Sequence, residues 1–278
     1  MKPSFFNAHC KNKPVFWVAV CLIIVISCGY FYIHTLDLDT TLRIRQAWGS
    51  LYQVMALFGG IVGITVSRKW GGHKSLLGKA ILFFSIGLLL QSFGQSVDSY
   101  YNFFKNATIP YPSLGDVGFM GSVFAYIAGA AFLMKATGSK ISIKSVKGKA
   151  LAIIVPLAIL IACYFFFLQG YQFDWTNKIK MLLDFSYPLG QAVYVSIALL
   201  AYLMSRKYLG GIVRNPVIFF IIALICQYIS DFTFLYQANA GTWYVGGIND
   251  FLYFISYSLM ALALIYIGGV YDNQQQAE

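Results

Sequence analysis

Eight runs of about 20 predominantly apolar residues divide this chain, and a helix needs that length to cross a hydrocarbon layer about 30 Å thick. They lie near Val15 to Ile33, Trp48 to Ser67, Leu76 to Val97, Gly115 to Met134, Ala150 to Leu168, Leu183 to Met204, Val217 to Leu235 and Phe251 to Gly269. Short connections carrying breakers and charges separate them, such as Trp70-Gly71-Gly72-His73 and Gly241 to Gly247. A soluble core could not hide all of them. The chain is 59% hydrophobic and 11% charged, against roughly 25% charged in a soluble domain. The expected fold class is therefore all-α, a polytopic membrane protein of eight transmembrane helices in a single domain spanning 1–278, with the lipid bilayer as its first partner.

Orientation follows from Lys and Arg, which are retained on the cytoplasmic side. One side carries Lys2, Lys11, Lys13, Arg68, Lys69, Lys74, Lys79, Lys135, Lys140, Lys144, Lys147, Lys149, Arg206, Lys207 and Arg214. The other carries Arg43, Arg45, Lys105, Lys178 and Lys180. Both termini are accordingly expected in the cytoplasm. The net charge of +10 follows from this bias, with some attraction to anionic headgroups, and requires no nucleic acid. The N-terminus also has the form of a secretory signal, and Val25-Ile26-Ser27-Cys28 fits the pattern preceding a lipid-modified cysteine. Cys21, Cys28, Cys163 and Cys226 fall inside apolar runs and Cys10 precedes the first, so neither a disulfide framework nor a metal spacing is present.

The chain reads as an internal duplication. Ser67-Arg68-Lys69-Trp70 matches Ser205-Arg206-Lys207-Tyr208, Gln91 with Asp98 matches Gln227 with Asp231 across a small gap, and Asp116 matches Asp250. The units are expected over 15–134 and 150–269. Four helices per unit is an even number, so the copies run in parallel through the membrane.

The acidic residues gather on one side. Asp37, Asp39, Asp98, Asp116, Asp174, Asp184, Asp231 and Asp250 fall on the outer half, leaving Asp272 and Glu278 inside. A carboxylate near hydrocarbon is costly unless it is paired, protonated or facing water, so the cluster suggests a shared pocket opening outward. Helix capping is the competing explanation for Asp116, Asp250 and Asp184. Asp98 and Asp231 each end an apolar run and cannot be its N-cap. Aromatics make up 18% of the chain and are dense on the outer side, from Tyr100 and Tyr101 through Tyr171, Phe173 and Tyr187 to Trp243 and Tyr244. They suit an interfacial belt, or a pocket wall for a cationic or hydroxylated ligand. The candidate ligand-binding residues are Asp98, Asp231, Asp116, Asp250, Asp184, Gln91, Gln227, Tyr187 and Trp243, with no catalytic residue, metal or cofactor assigned.

Ile109-Pro110-Tyr111-Pro112-Ser113-Leu114-Gly115-Asp116 ahead of an aromatic-rich helix resembles the Pro-Ser-x-x-Asp segment of multi-helix bacterial membrane domains. Those sensor-like domains precede diguanylate cyclase, phosphodiesterase or histidine kinase modules. Asp184-Phe185-Ser186-Tyr187-Pro188-Leu189-Gly190 is similar to their Tyr-Pro-Leu-Gly-Asp motif, with Gln191 where they have Asp. Ser230-Asp231, Gly241-Thr242-Trp243-Tyr244 and Asn249-Asp250 resemble their last hairpin. The resemblance covers roughly residues 45 to 270 and implies a bacterial inner-membrane sensor. Such a sensor would take an extracytoplasmic or lipidic small ligand. It would signal through a separate cytoplasmic partner, since no output domain is expected after Gly269.

Two other classes fit less of the chain. A lysoplasmalogenase-like lipid hydrolase would use Asp98 and Asp231 as acid and base. A small-molecule carrier would use the duplicated bundle, although no clearly broken helix is expected. His9, His34 and His73 lie outside helix centres, which disfavours zinc or haem. The orientation predicts that alkaline phosphatase fused after Gln276 is inactive in a bacterial host, whereas fusion after Asn106 is active; the reverse pattern would overturn it.

Overall fold

The computed structural model describes residues 14–36, 42–107, 109–137, 145–165, 169, 175–205 and 214–277. Asp37, Asp39, Asp174, Tyr171, Phe173, His9, Cys10, Glu278 and the cations Lys2, Lys11, Lys13, Lys140, Lys144, Arg206 and Lys207 lie outside the described residues, as does the Arg206–Tyr208 part of the repeat motif. Regular structure among the described residues is entirely helical. The helices are α1 (Pro14–His34), α2 (Leu42–Leu51), α3 (Val54–Lys69), α4 (Leu76–Ser99), α5 (Leu114–Ala136), α6 (Val146–Cys163), α7 (Lys178–Ser205), α8 (Arg214–Asn239) and α9 (Ile248–Ala277). Among the described residues seven stretches are long and apolar enough to cross a membrane: Pro14–His34, Leu42–Lys69, Leu76–Lys105, Leu114–Ala136, Lys178–Leu203, Asn215–Ala238 and Ile248–Gln276. The 18-residue α6 occupies the place of the fifth apolar run.

Side-chain caps set the helix starts. Ser75 accepts from the Gly78 amide at 2.8 Å to open α4, and Ser145 accepts from Gly148 at 3.0 Å to open α6. Ser113 and Asp116 form a capping box at α5, in which the Ser113 amide donates to Asp116 Oδ2 at 2.7 Å. The cap of α7 is Asn177, whose Oδ1 accepts from the Lys180 amide at 3.0 Å. Asp184 therefore does not cap this helix; it sits in its second turn. Asp98 stands one residue from the end of α4, where the chain continues as a π-helical turn, Tyr100–Lys105. Asp231 does not end its helix: α8 runs to Asn239, placing Asp231 about 12 Å inside the helix end. An apolar run stops at its first charged residue, whereas backbone hydrogen bonding does not.

One helix is interrupted where none was expected. Between α2 and α3, Gln53 Nε2 donates to the Ser50 carbonyl at 2.9 Å, taking over a bond that a backbone amide makes in an unbroken helix. Gln53 Nε2 also reaches Ser99 Oγ at 3.3 Å, and Gln53 Oε1 accepts from Ser96 Oγ at 2.8 Å. The break is thus tied to α4, and the local carbonyl stays satisfied inside the bundle.

Six helices close into a ring: α3 packs on α4, α4 on α5, α5 on α7, α7 on α8, α8 on α9 and α9 back on α3. Outside it, α1 packs against α9 and α6 against α7. The α1 contact is specific, since Trp48 Nε1 donates to the Ile26 carbonyl at 2.9 Å and Tyr30 stacks on Phe251 at 4.1 Å between centroids. At the basic end Lys69 pairs with Asp272 at 2.8 Å, joining α3 to α9. The adjoining half of the ring interior is dry. Phe84 on α4 stacks on Phe220 of α8 at 4.9 Å, surrounded by buried Ala80, Ala223, Ala261 and Leu264.

Without a hydrophobic drive between helices in lipid, close approach carries much of the packing. A Cβ at Gly118 of α5 would lie 2.6 Å from the Leu90 carbonyl and 2.7 Å from the Gly94 amide, both backbone atoms of α4. At Gly121 it would meet only the tip of Leu90 at 3.3 Å. Gly118→Ala is expected to lower stability by about 1–3 kcal/mol through overpacking. Gly121→Ala should be neutral or gain up to about 1 kcal/mol of helix propensity. Thermal unfolding of the two purified variants in one detergent checks the contrast; equal melting temperatures would contradict it.

Candidate functional site

Above the dry half, the inward faces of four ring helices become polar at helical spacing. Gln91, Gln95 and Asp98 share one face of α4, and Tyr187, Gln191 and Tyr194 share one face of α7. Gln227 and Asp231 stand one turn apart on α8, while Asp250, Tyr253 and Tyr257 line α9. Ser122 and Tyr126 add the α5 side.

These side chains bind one another in a connected network. Tyr257 donates to Gln91 Oε1 at 3.0 Å, and Gln91 Nε2 donates to Ser122 Oγ at 2.7 Å, so three ring helices meet at Gln91. Gln95 makes a further side-chain hydrogen bond to Tyr257. On the opposite side Ser256 donates to Gln227 Oε1 at 3.0 Å, and Gln227 Nε2 donates to both Asp231 oxygens at 3.3 Å. Tyr253 completes this arm, donating to Asp231 Oδ1 at 2.7 Å. The Asp231 carboxyl also acts electrostatically on Tyr126, Tyr187, Tyr194 and Tyr257, so these tyrosines share the ring interior with it. The rings are in register with that role: Tyr126 meets Tyr194 edge-on at 5.8 Å, and Tyr257 stacks between Tyr253 at 6.1 Å and Tyr52 at 6.2 Å.

The other acids occupy the rim. Asp116 caps α5 with one oxygen and accepts from the Tyr187 hydroxyl with the other at 2.8 Å, linking α5 to α7. Asp250 accepts from the Gly246 amide at 2.7 Å, an amide presented by a backbone at φ 74°, where glycine is favoured. Asp184 accepts from Tyr111 at 2.7 Å across the α4–α5 connection. Asp98 has Asn102 as its side-chain partner, and its charge acts on Asp250 and Tyr52. Asp98 and Asp231 thus draw on different partners, one at the α4–α9 side of the rim and one deeper between α7, α8 and α9. Trp243 lies in the α8–α9 connection against Phe234, at 6.0 Å. Arg45 is buried near this rim, donating to the Ile33 carbonyl at 3.0 Å with its guanidinium 5.7 Å from the Tyr244 ring.

Several of these residues escape a reading by charge alone: Tyr52, Gln95, Ser122, Tyr126, Gln191, Tyr194, Tyr253, Ser256 and Tyr257. Their spacing was the available signal, because Tyr187, Gln191 and Tyr194 recur at i, i+4 and i+7 through an apolar helix, as do Gln91, Gln95 and Asp98. Among the described residues no group of three or more His, Cys, Asp or Glu gathers as a metal site. No known protein family, curated protein or solved structure matches this chain.

Chemically the interior offers a carboxylate, amide oxygens, hydroxyls and aromatic faces, which is an acceptor-rich surface. Tyr257→Phe would strip Gln91 Oε1 of a buried donor, at an expected cost of about 1–3 kcal/mol. Tyr187→Phe, at the half-exposed rim, should cost less. Chemical or thermal unfolding of both variants tests this order, and a larger loss for Tyr187→Phe would contradict it.

Proposed function

We propose that this chain is an eight-span protein of a bacterial inner membrane, with both termini cytoplasmic, built from parallel repeats over 15–134 and 150–269. We propose further that it acts as a sensor-like module that binds a small ligand through the polar interior of its ring and signals through a separate cytoplasmic partner. The carrying observation is the polarity of that ring. Its acidic half is lined by Asp231, the glutamines and the tyrosines, while its basic half is sealed by the Phe84–Phe220 stack. Asp98, Tyr187 and Asp231 retain accessible surface although they sit among ring helices, as residues lining an entrance do. A polar, partly exposed acidic end above an apolar basic half suits recognition from outside.

The repeat reading is supported by paired hydrogen bonds. Gln91 bonds Ser122 in the first unit and Gln227 bonds Ser256 in the second, while Asp116 and Asp250 each take a backbone amide ahead of their helix. On that pairing Gln95, four residues after Gln91, is the counterpart of Asp231, four residues after Gln227. Asp98 then has no acidic counterpart, and the chamber holds its deep charge on one side only. The apolar basic half and the resemblance to sensor-like domains favour binding over transport, and Tyr253 beside Asp231 acts as a hydrogen-bond donor to it.

Protein reconstituted in liposomes with the acidic end outward tests the reading. Expected is saturable stabilisation by an external solute that Asp231→Asn removes, without solute accumulation or release of fatty products from the lipid. Flux that is lost in Asp231→Asn would make the protein a carrier, and lipid turnover lost in the same variant would make it a hydrolase.

A further inference from the structure

Two of the buried polar atoms that stay unmatched among the described residues share one face of α7. Gln191 Oε1 and the Tyr194 hydroxyl have no hydrogen-bond partner among the described residues, and their side chains are 2% and 0% exposed. Each such buried atom costs about 1–3 kcal/mol if nothing meets it. They stand three residues apart on the inward face of α7, alongside Tyr187, and Tyr194 feels the Asp231 charge directly. Along α4, α5 and α8 the network is matched: Gln91 uses both ends of its amide, Gln227 does the same, and Ser122 passes its proton to the Phe119 carbonyl at 2.6 Å. On the side of α7 that faces Asp231 the unmet acceptors are an amide oxygen, a phenol oxygen and the Asp231 Oδ2, whose hydrogen bond among the described residues is the long 3.3 Å contact from Gln227. Asn249 Oδ1 and Ser258 Oγ of α9 are unmatched as well, but neither adjoins a second unmatched atom on its own helix face.

Resting on the ligand-binding reading above, we propose that the space between α7 and Asp231 binds the ammonium group of a small organic amine, with Asp231, Gln191 and Tyr194 as its acceptors. The stoichiometry fits. A primary ammonium has three N–H donors and one positive charge, and the space presents three oxygen acceptors and one carboxylate. A hydroxylated neutral solute brings one proton per oxygen and leaves the charge uncompensated. An anion would face only acceptors, since the buried cation Arg45 is engaged at the rim with Ile33 and Tyr244. The surroundings select an organic cation over a bare metal ion, because Tyr126, Tyr194, Tyr253 and Tyr257 pack ring against ring on this side of the interior, and aromatic rings attract alkylammonium groups. Asp231 supplies the charge, Gln191 and Tyr194 the direction.

The experiment uses the full chain in lipid nanodiscs, titrated with ethylammonium, butylammonium and 2-phenylethylammonium chlorides, with the matching alcohols, and with sodium chloride at equal ionic strength. Thermal stability is the readout. At least one ammonium should stabilise saturably, its alcohol should be at least tenfold weaker, Asp231→Asn should abolish the effect, and Gln191→Leu should weaken it about tenfold. Asp231→Glu, which keeps the charge, should retain part of the binding if Asp231→Asn loses it through charge and not through misfolding. An alcohol as effective as its ammonium, or sodium effective where every ammonium fails, would overturn the amine assignment while leaving a binding chamber in place. A separate arm examines the chamber itself: Asp231→Cys, in a background with the native cysteines replaced by Ser or Ala, should react with a water-soluble thiol reagent added at the acidic end. Failure of that reaction, with no solute binding, would remove the ligand-binding reading as well.

Discussion

The hydrogen bond from Tyr257 to Gln91 joins α9 to α4 through the middle of the ring, and much else depends on it. In a lipid-like surround apolar side chains gain little by choosing helix over hydrocarbon, so directional contacts and close backbone approach decide which helices associate. Gln91 makes two such contacts at once, one to α9 and one to Ser122 of α5. Its amide therefore positions the helices on which Tyr126, Tyr253 and Tyr257 stand. The tyrosines in turn surround Asp231, so the geometry around the deep carboxylate is inherited from a neutral amide two helices away.

This dependence explains why the two halves of the ring differ. The basic half is held by ring stacking and small residues, with Phe84 on Phe220, and its buried Ser67 and Ser85 are satisfied by backbone carbonyls. The acidic half must satisfy every hydroxyl and amide it buries, because each unmet group costs as much as a good contact returns. It does so at most positions. Gln191 and Tyr194 of α7 are unmet among the described residues, as are Asn249 and Ser258 of α9.

Much of the architecture was legible in the apolar runs, because hydrocarbon thickness imposes a length that composition cannot disguise. Helix ends were less so. Asn177, not Asp184, caps α7, and α8 runs on past Asp231 to Asn239, since capping and backbone bonding follow local geometry and not hydropathy. The break between α2 and α3 carried no glycine or proline signal at Tyr52 or Gln53; it exists because Gln53 finds partners on α4, a tertiary fact. The acids were found by charge, yet most of them serve the rim as caps and tyrosine acceptors. What charge could not reveal was which acid lies deep, because that depends on the neutral residues facing it.

The asymmetry between the halves follows the same logic. If Gln95 and Asp231 are counterparts, each stands one turn beyond a glutamine that bonds a serine of the next helix, and each is bound by a tyrosine of α9. Two carboxylates at those positions would face each other across a poorly solvated interior, where like charges repel strongly. An amide on one side keeps the hydrogen bond to Tyr257 and removes the repulsion. A single deep carboxyl then remains, and among the described residues its side-chain partners are Tyr253 and Gln227. On the reading proposed above, a carboxylate held by neutral donors still lacks a positive charge, and that is where a ligand's own charge would add binding energy.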